Sequence, residues 1–77
     1  MTAETLTALR ARRDVVARAV ATLTFDLGGL TAEMVDAGEF RLDVLTRHAA
    51  ELRAADAELS ELDRRLAAAK NGVPAGL

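Results

Sequence analysis

Leu45, Leu52, Leu59 and Leu66 recur every seven residues within a stretch that holds neither Gly nor Pro, and His48, Ala55, Leu62 and Ala69 fall between them. Alternating steps of three and four keep one stripe of a helix facing one partner along its whole length, which is the a/d pattern of a coiled coil. Upstream, Leu6, Leu9, Arg13, Val16, Val20, Leu23, Leu27, Leu30, Met34 and Ala37 obey the same rule. Arg13 is the one charged member of that seam. An arginine is tolerated there because its methylenes can lie along the seam while its head reaches water.

The spacing predicts a helix over about 4–36, a turn over about 36–39 and a second helix over about 40–70. Thr2 or Thr5 supplies a cap for the first helix, with Glu4 near its positive end. At about 1.5 Å per residue this helix would be on the order of 48 Å long. The turn falls at Asp36-Ala37-Gly38-Glu39, where Gly38 has the freedom to take the left-handed conformation that ends a helix. Reversal there lays Leu30 against Leu45, Leu27 against His48, Leu23 against Leu52 and Val20 against Ala55. Farther out, Val16 meets Leu59, Arg13 meets Leu62, Leu9 meets Leu66 and Leu6 meets Ala69. Two heptad seams in register across a turn of suitable chemistry favour an antiparallel hairpin over one continuous rod. Asn71-Gly72 is suited to end the second helix, and residues 72–77 have neither period nor length for an element, so a disordered tail is expected.

A hairpin covers only one stripe of each helix, and a chain of 77 residues buries too little surface to be comfortably stable alone. Disulfides are excluded because there is no Cys, and His48 as the sole His makes a zinc site an improbable staple. A partner is the remaining route. The expected architecture is therefore all-α, a long two-helix hairpin pairing into a dimeric four-helix bundle, with homodimerisation or another helical protein as the association.

Within Phe25-Asp26-Leu27-Gly28-Gly29-Leu30, each glycine destabilises a helix by roughly 1 kcal/mol relative to alanine. Both lie outside the seam, on a second stripe with Ala8, Ala11, Val15, Thr22, Phe25 and Ala32. Small residues there admit a neighbouring helix, and Phe25 is a large knob beside the gap. Val15, Thr22, Phe25, Gly28, Gly29 and Ala32 are accordingly the candidate oligomer interface. The competing reading is a break or kink at the glycine pair, joining two shorter helices.

Other features point to no chemistry. Arg10, Arg12, Arg13 and Arg18 could contact nucleic acid, but Asp14 interrupts them and no aromatic platform accompanies them. In a hairpin they would face the region of Asp56, Glu58, Glu61 and Asp63, making a salt-bridged face the plainer reading. His48 is expected to be partly buried and hydrogen-bonded, to Glu51 or across a subunit contact, with a pH switch as the rarer outcome. No nucleophile–base pair, phosphate loop or metal-ligand spacing is present, so neither catalysis nor a cofactor is implied. The charges are mixed and sum to −2, and no apolar run approaching a membrane span is evident, which gives the expectation of a cytoplasmic, non-enzymatic scaffold or protein-interaction module. The alternatives are a small nucleic-acid-associated helical protein and a small helical enzyme with its site between subunits.

The stretch Phe25–Leu30, then Glu33-Met34, Phe40-Arg41-Leu42-Asp43-Val44-Leu45 and Ala49-Ala50-Glu51-Leu52, resembles uncharacterised bacterial proteins whose helical hairpin precedes a C-terminal zinc ribbon. The resemblance implies the hairpin fold and covers most of both helices. The ribbon's cysteines are missing here, and the family brings no activity with it. Glu58-Leu59-Ser60-Glu61-Leu62-Asp63-Arg64-Arg65-Leu66 is fainter in its similarity to the opening helix of the small all-helical chorismate mutases. It sits near the wrong end of the chain for the helices that should follow, so no role is carried over from that family.

Overall fold

The structure is a computed structural model that describes residues 2–70. Two helices, α1 (Ala3–Ala37) and α2 (Leu42–Lys70), pack against each other as a hairpin. Thr2 caps α1: its Oγ1 accepts the Thr5 N–H at 3.1 Å, and its carbonyl accepts the Leu6 N–H at 3.0 Å. Of the two threonines proposed as caps, Thr2 takes the role and Thr5 is its client.

Gly38 ends α1 with φ 68° and ψ 23°. Its N–H bonds the Val35 carbonyl at 3.1 Å, and the Glu39 N–H bonds the Met34 carbonyl at 3.0 Å. This paired arrangement is the Schellman motif, which satisfies carbonyls that the helix end would otherwise leave open. The second helix starts at Leu42 rather than near 40, because the Arg41 carbonyl is the first acceptor, taking the N–H groups of Val44 and Leu45. Glu39, Phe40 and Arg41 are thus used in crossing the space between two packed helix axes, about 8–10 Å. The expectation of a disordered tail over 72–77, and of Asn71-Gly72 as terminator, falls outside the described residues.

Burial follows the two seams. Val16, Met34 and Leu62 are buried, while Leu6, Leu9, Arg13, Val20, Leu23, Leu27 and Leu30 on α1 are half-buried, as are Leu45, His48, Leu52, Ala55, Leu59, Leu66 and Ala69 on α2. Ala37, counted into the first seam, is exposed because the seam closes at Met34, one turn before the chain reverses. The molecule measures 54 × 20 × 14 Å, with a radius of gyration of 17.1 Å. A compact domain of this length would have a radius near 11.5 Å, so the hairpin is a thin rod with much of its apolar surface left in water.

Candidate self-association surface

At about 100° per residue, the seam residues Val16, Leu23 and Leu30 project from one side of α1, and Thr22, Phe25, Gly29 and Ala32 project from nearly the opposite side. α2 covers the first side. Val15, Thr22, Phe25, Gly28, Gly29 and Ala32, the proposed interface, are all exposed in the hairpin. Thr22, Phe25, Gly29 and Ala32 thus share the face turned away from α2, Val15 and Gly28 lie on its two opposite flanks, and no described residue covers any of the six.

Phe25 is 81% exposed, the most solvent-accessible of the large apolar side chains among the described residues. One turn on, α1 passes through Gly28 and Gly29 without interruption, which removes the reading of two short helices joined by a break. A methyl group placed on either glycine would meet nothing within 4 Å. Neither glycine is required by packing inside the hairpin. Each weakens the helix, and in the isolated chain nothing compensates.

A second apolar group sits at the turn: Val35, Phe40 and Leu42 are exposed. A second helix expected from about residue 40 takes Phe40 and Leu42 for helix positions and so hides this group. The seam spacing itself contained the signal, since positions one heptad before Leu45 and His48 are Gly38 and Arg41, which leaves Phe40 and Leu42 off the seam.

The basic cluster does not form one patch. Arg10, Arg12, Arg13 and Arg18 leave the helix in four different directions. Arg12 makes a two-pronged contact with Glu58, Nε to Oε2 at 2.8 Å and Nη2 to Oε1 at 2.9 Å. Arg13 donates Nε–H to Asp63 Oδ1 at 2.9 Å, so its head is held by a carboxylate instead of lying free in water. That hydrogen bond, reinforced by the charge of Asp63, raises the Arg13 pKa above its ordinary value. Glu61, expected to face the arginines of α1, is bound instead by Arg64 and Arg65 of its own helix. Arg10 and Arg18 make no ion pair among the described residues, nor does Asp56.

His48 is half-buried in the seam as expected, yet its Nδ1 is enclosed and has no hydrogen-bond partner among the described residues. The anticipated bond to Glu51 is absent there because Glu51, the next residue but two on the same helix, is exposed and off the seam. At the open end of the rod, Leu6, Arg10, Leu66, Ala67 and Lys70 line a shallow, mainly apolar hollow of about 230 Å³. Among the described residues no three His, Asp or Glu side chains converge as a metal site would require.

α1 also qualifies a further expectation. An 18-residue window within it has a mean hydropathy of 1.3 with no more than two acidic or basic residues, so by length and composition alone α1 is apolar enough to cross a membrane. Arg18 and Asp26 interrupt the apolar run without lowering its average far, so a search for an unbroken apolar stretch does not reveal it. Comparison of the chain with protein-family models, with curated proteins and with solved structures finds no match.

Proposed function

We propose that this chain is a non-enzymatic self-association module, a hairpin that pairs with a second copy through the outer face of α1 to form a dimeric four-helix assembly and so acts as a scaffold. The observation that carries the reading is Phe25, exposed next to two helical glycines over which there is open space. A large apolar side chain beside a matching gap on the same face is self-complementary, which is what a two-fold contact requires.

The energetics agree. Among the described residues only three side chains are buried, a thin core that a second layer of helix would enlarge. A helix apolar on both sides belongs in the interior of an assembly. α1 carries Val15 and Phe25 outside its seam as well as the seam itself, whereas from Leu45 onward every leucine of α2 lies on its seam. The nucleic-acid alternative has less support, because Arg12 and Arg13 are each engaged by a carboxylate of α2.

Sedimentation equilibrium and thermal melts over a hundredfold range of protein concentration test the proposal. A dimer whose Tm climbs with concentration is expected, since association adds to folding free energy. A monomer with an unchanging Tm would overturn it. Binding to phosphatidylcholine vesicles by that monomer would assign the α1 face to lipid, and retention on heparin that falls with salt would assign the arginines to nucleic acid.

A further inference from the structure

The outer face of α1 also carries an orientation and a register. Along it run Arg18, Thr22, Phe25, Gly29, Ala32 and Asp36, at steps of four, three, four, three and four, and all six are exposed. Neither Arg18 nor Asp36 has an ion-pair partner among the described residues. The stripe thus has a free cation at one end, a free anion at the other, and apolar or small residues between them.

We propose that two copies pair with their α1 helices antiparallel, about a two-fold axis that passes beside position 27. The inference rests on the self-association reading and specifies its geometry. In an antiparallel pair, residues equidistant from the axis face each other. Phe25 then lies over the partner's Gly29, Thr22 over the partner's Ala32, and Arg18 beside the partner's Asp36. The two-fold repeats each of these contacts. Phe25 fills the space that the missing Cβ leaves open, and both unpaired charges acquire an opposite charge.

Alternative arrangements fail on the same residues. A parallel pair sets Phe25 against Phe25, Gly29 against Gly29, Arg18 against Arg18 and Asp36 against Asp36, leaving the gap empty and like charges together. Sliding the antiparallel pair by one heptad puts Arg18 over the partner's Gly29 and Asp36 over the partner's Ala11, with no charge matched. Sliding by two gives the fullest overlap of the helices, but it lays Glu4 against the partner's Asp36 and brings Arg18 within a turn of its own symmetry mate. Charge complementarity selects register in this way even where each exposed pair adds little affinity.

The axis at position 27 has two more consequences. It brings Val15 beside the partner's turn at Glu39 and Phe40, which accounts for an exposed valine so far from the centre of the stripe. Because the stripe is nearly opposite the seam, the four helices lie in a layer, α2–α1 of one copy followed by α1–α2 of the other, with the two apolar helices inside.

The chain has no Cys, so disulfide trapping reads the register directly. Thr22→Cys and Ala32→Cys are made as separate single variants of the full chain, each checked for unchanged helicity by circular dichroism. Mixed and oxidised, they should give a covalent heterodimer, whereas either alone should crosslink at least about tenfold more slowly. In parallel, Arg18→Asp or Asp36→Arg should weaken dimerisation at least about tenfold by sedimentation equilibrium, and the double variant should recover most of that loss. A wild type that is dimeric but whose Thr22→Cys variant crosslinks to itself as fast as the mixture, or whose double charge reversal recovers nothing, overturns the register while leaving self-association intact. A monomeric wild type overturns both.

Discussion

Arg13 of α1 and Asp63 of α2, fifty positions apart in the chain, share a hydrogen bond of 2.9 Å across the seam. The same guanidinium lies 3.7 Å from Asp14, so one cation serves two carboxylates on different helices. The pair is partly exposed, with the Arg13 side chain 38% and the Asp63 side chain 49% accessible. Solvent screening at such a site leaves the coupling weak. A double-mutant cycle over Arg13→Ala and Asp63→Ala in urea should return a small favourable coupling that shrinks as salt is added. Arg13→Leu, which restores the apolar seam, should be neutral or stabilising in the same denaturation.

Leu62 is 6% exposed and should be the most sensitive seam position on α2. Leu62→Ala should destabilise by about 2–5 kcal/mol in chemical denaturation. Half-buried Leu52 should give a smaller loss on the same substitution. Arg64→Ala, at an exposed site whose described contact is Glu61 of its own helix, should change stability by less than about 0.5 kcal/mol. Equal effects at Leu62 and Arg64 would show that the core is elsewhere.

Gly38 and Gly29 should respond to alanine in opposite ways at the level of the single hairpin. With φ at 68°, Gly38→Ala forces a side chain into the left-handed region and should destabilise by about 1 kcal/mol. Gly29→Ala meets open space, so the hairpin itself gains up to about 1 kcal/mol of helix propensity. In the dimer that methyl enters the space assigned to Phe25, where overpacking costs about 1–3 kcal/mol. The outcome to look for is increased helicity at high dilution together with a raised dissociation constant, and a bulkier Gly29→Leu should enlarge the second effect.

Phe25→Ala separates folding from association. In the lone hairpin the ring touches little, so the stability of the monomeric species should move by less than about 0.5 kcal/mol. Loss of a central aromatic from an interface typically costs 2 kcal/mol or more, on the order of a thirtyfold change in the dissociation constant. Sedimentation equilibrium beside a melt at high dilution distinguishes the two. Unchanged dimerisation would remove Phe25 from the contact.

His48→Leu should stabilise the hairpin by about 1 kcal/mol, because it replaces an enclosed, unbonded Nδ1 with an apolar group of similar size. Thermal melts at neutral pH check this. A loss of stability would mean that the imidazole has a polar partner in solution.

The hairpin was legible from spacing because each signal is local and physical. Gly38 is where only glycine turns left-handed without strain, and the two seams need no knowledge of tertiary structure to be counted. The start of α2 was less legible, since Phe40 and Leu42 are as apolar as true helix positions and only the width of the gap to be crossed decides that they lie before and at the first turn. Ion pairing was half legible. Arg12 and Arg13 reach α2 as the antiparallel register implied, but Glu61 has arginines three and four positions ahead on its own helix, and these neighbours are nearer than any across the seam. For the outer face of α1, the glycines and Phe25 are conspicuous in the sequence, whereas their freedom from any neighbour depends on α2 packing against the opposite side of the helix.

The Schellman turn at Gly38 also sets an order of events in folding. Contacts beside it, around Met34, close loops of a few residues, whereas contacts at the far end join segments on opposite sides of nearly the whole chain. Loop-closure entropy favours the short loops first, and every pair that forms shortens the loop for the next, so the hairpin zips outward from the turn and opens in reverse. Amide exchange should therefore quicken steadily along both helices toward Ala3 and Lys70, giving the rod one fixed hinge and one fraying mouth.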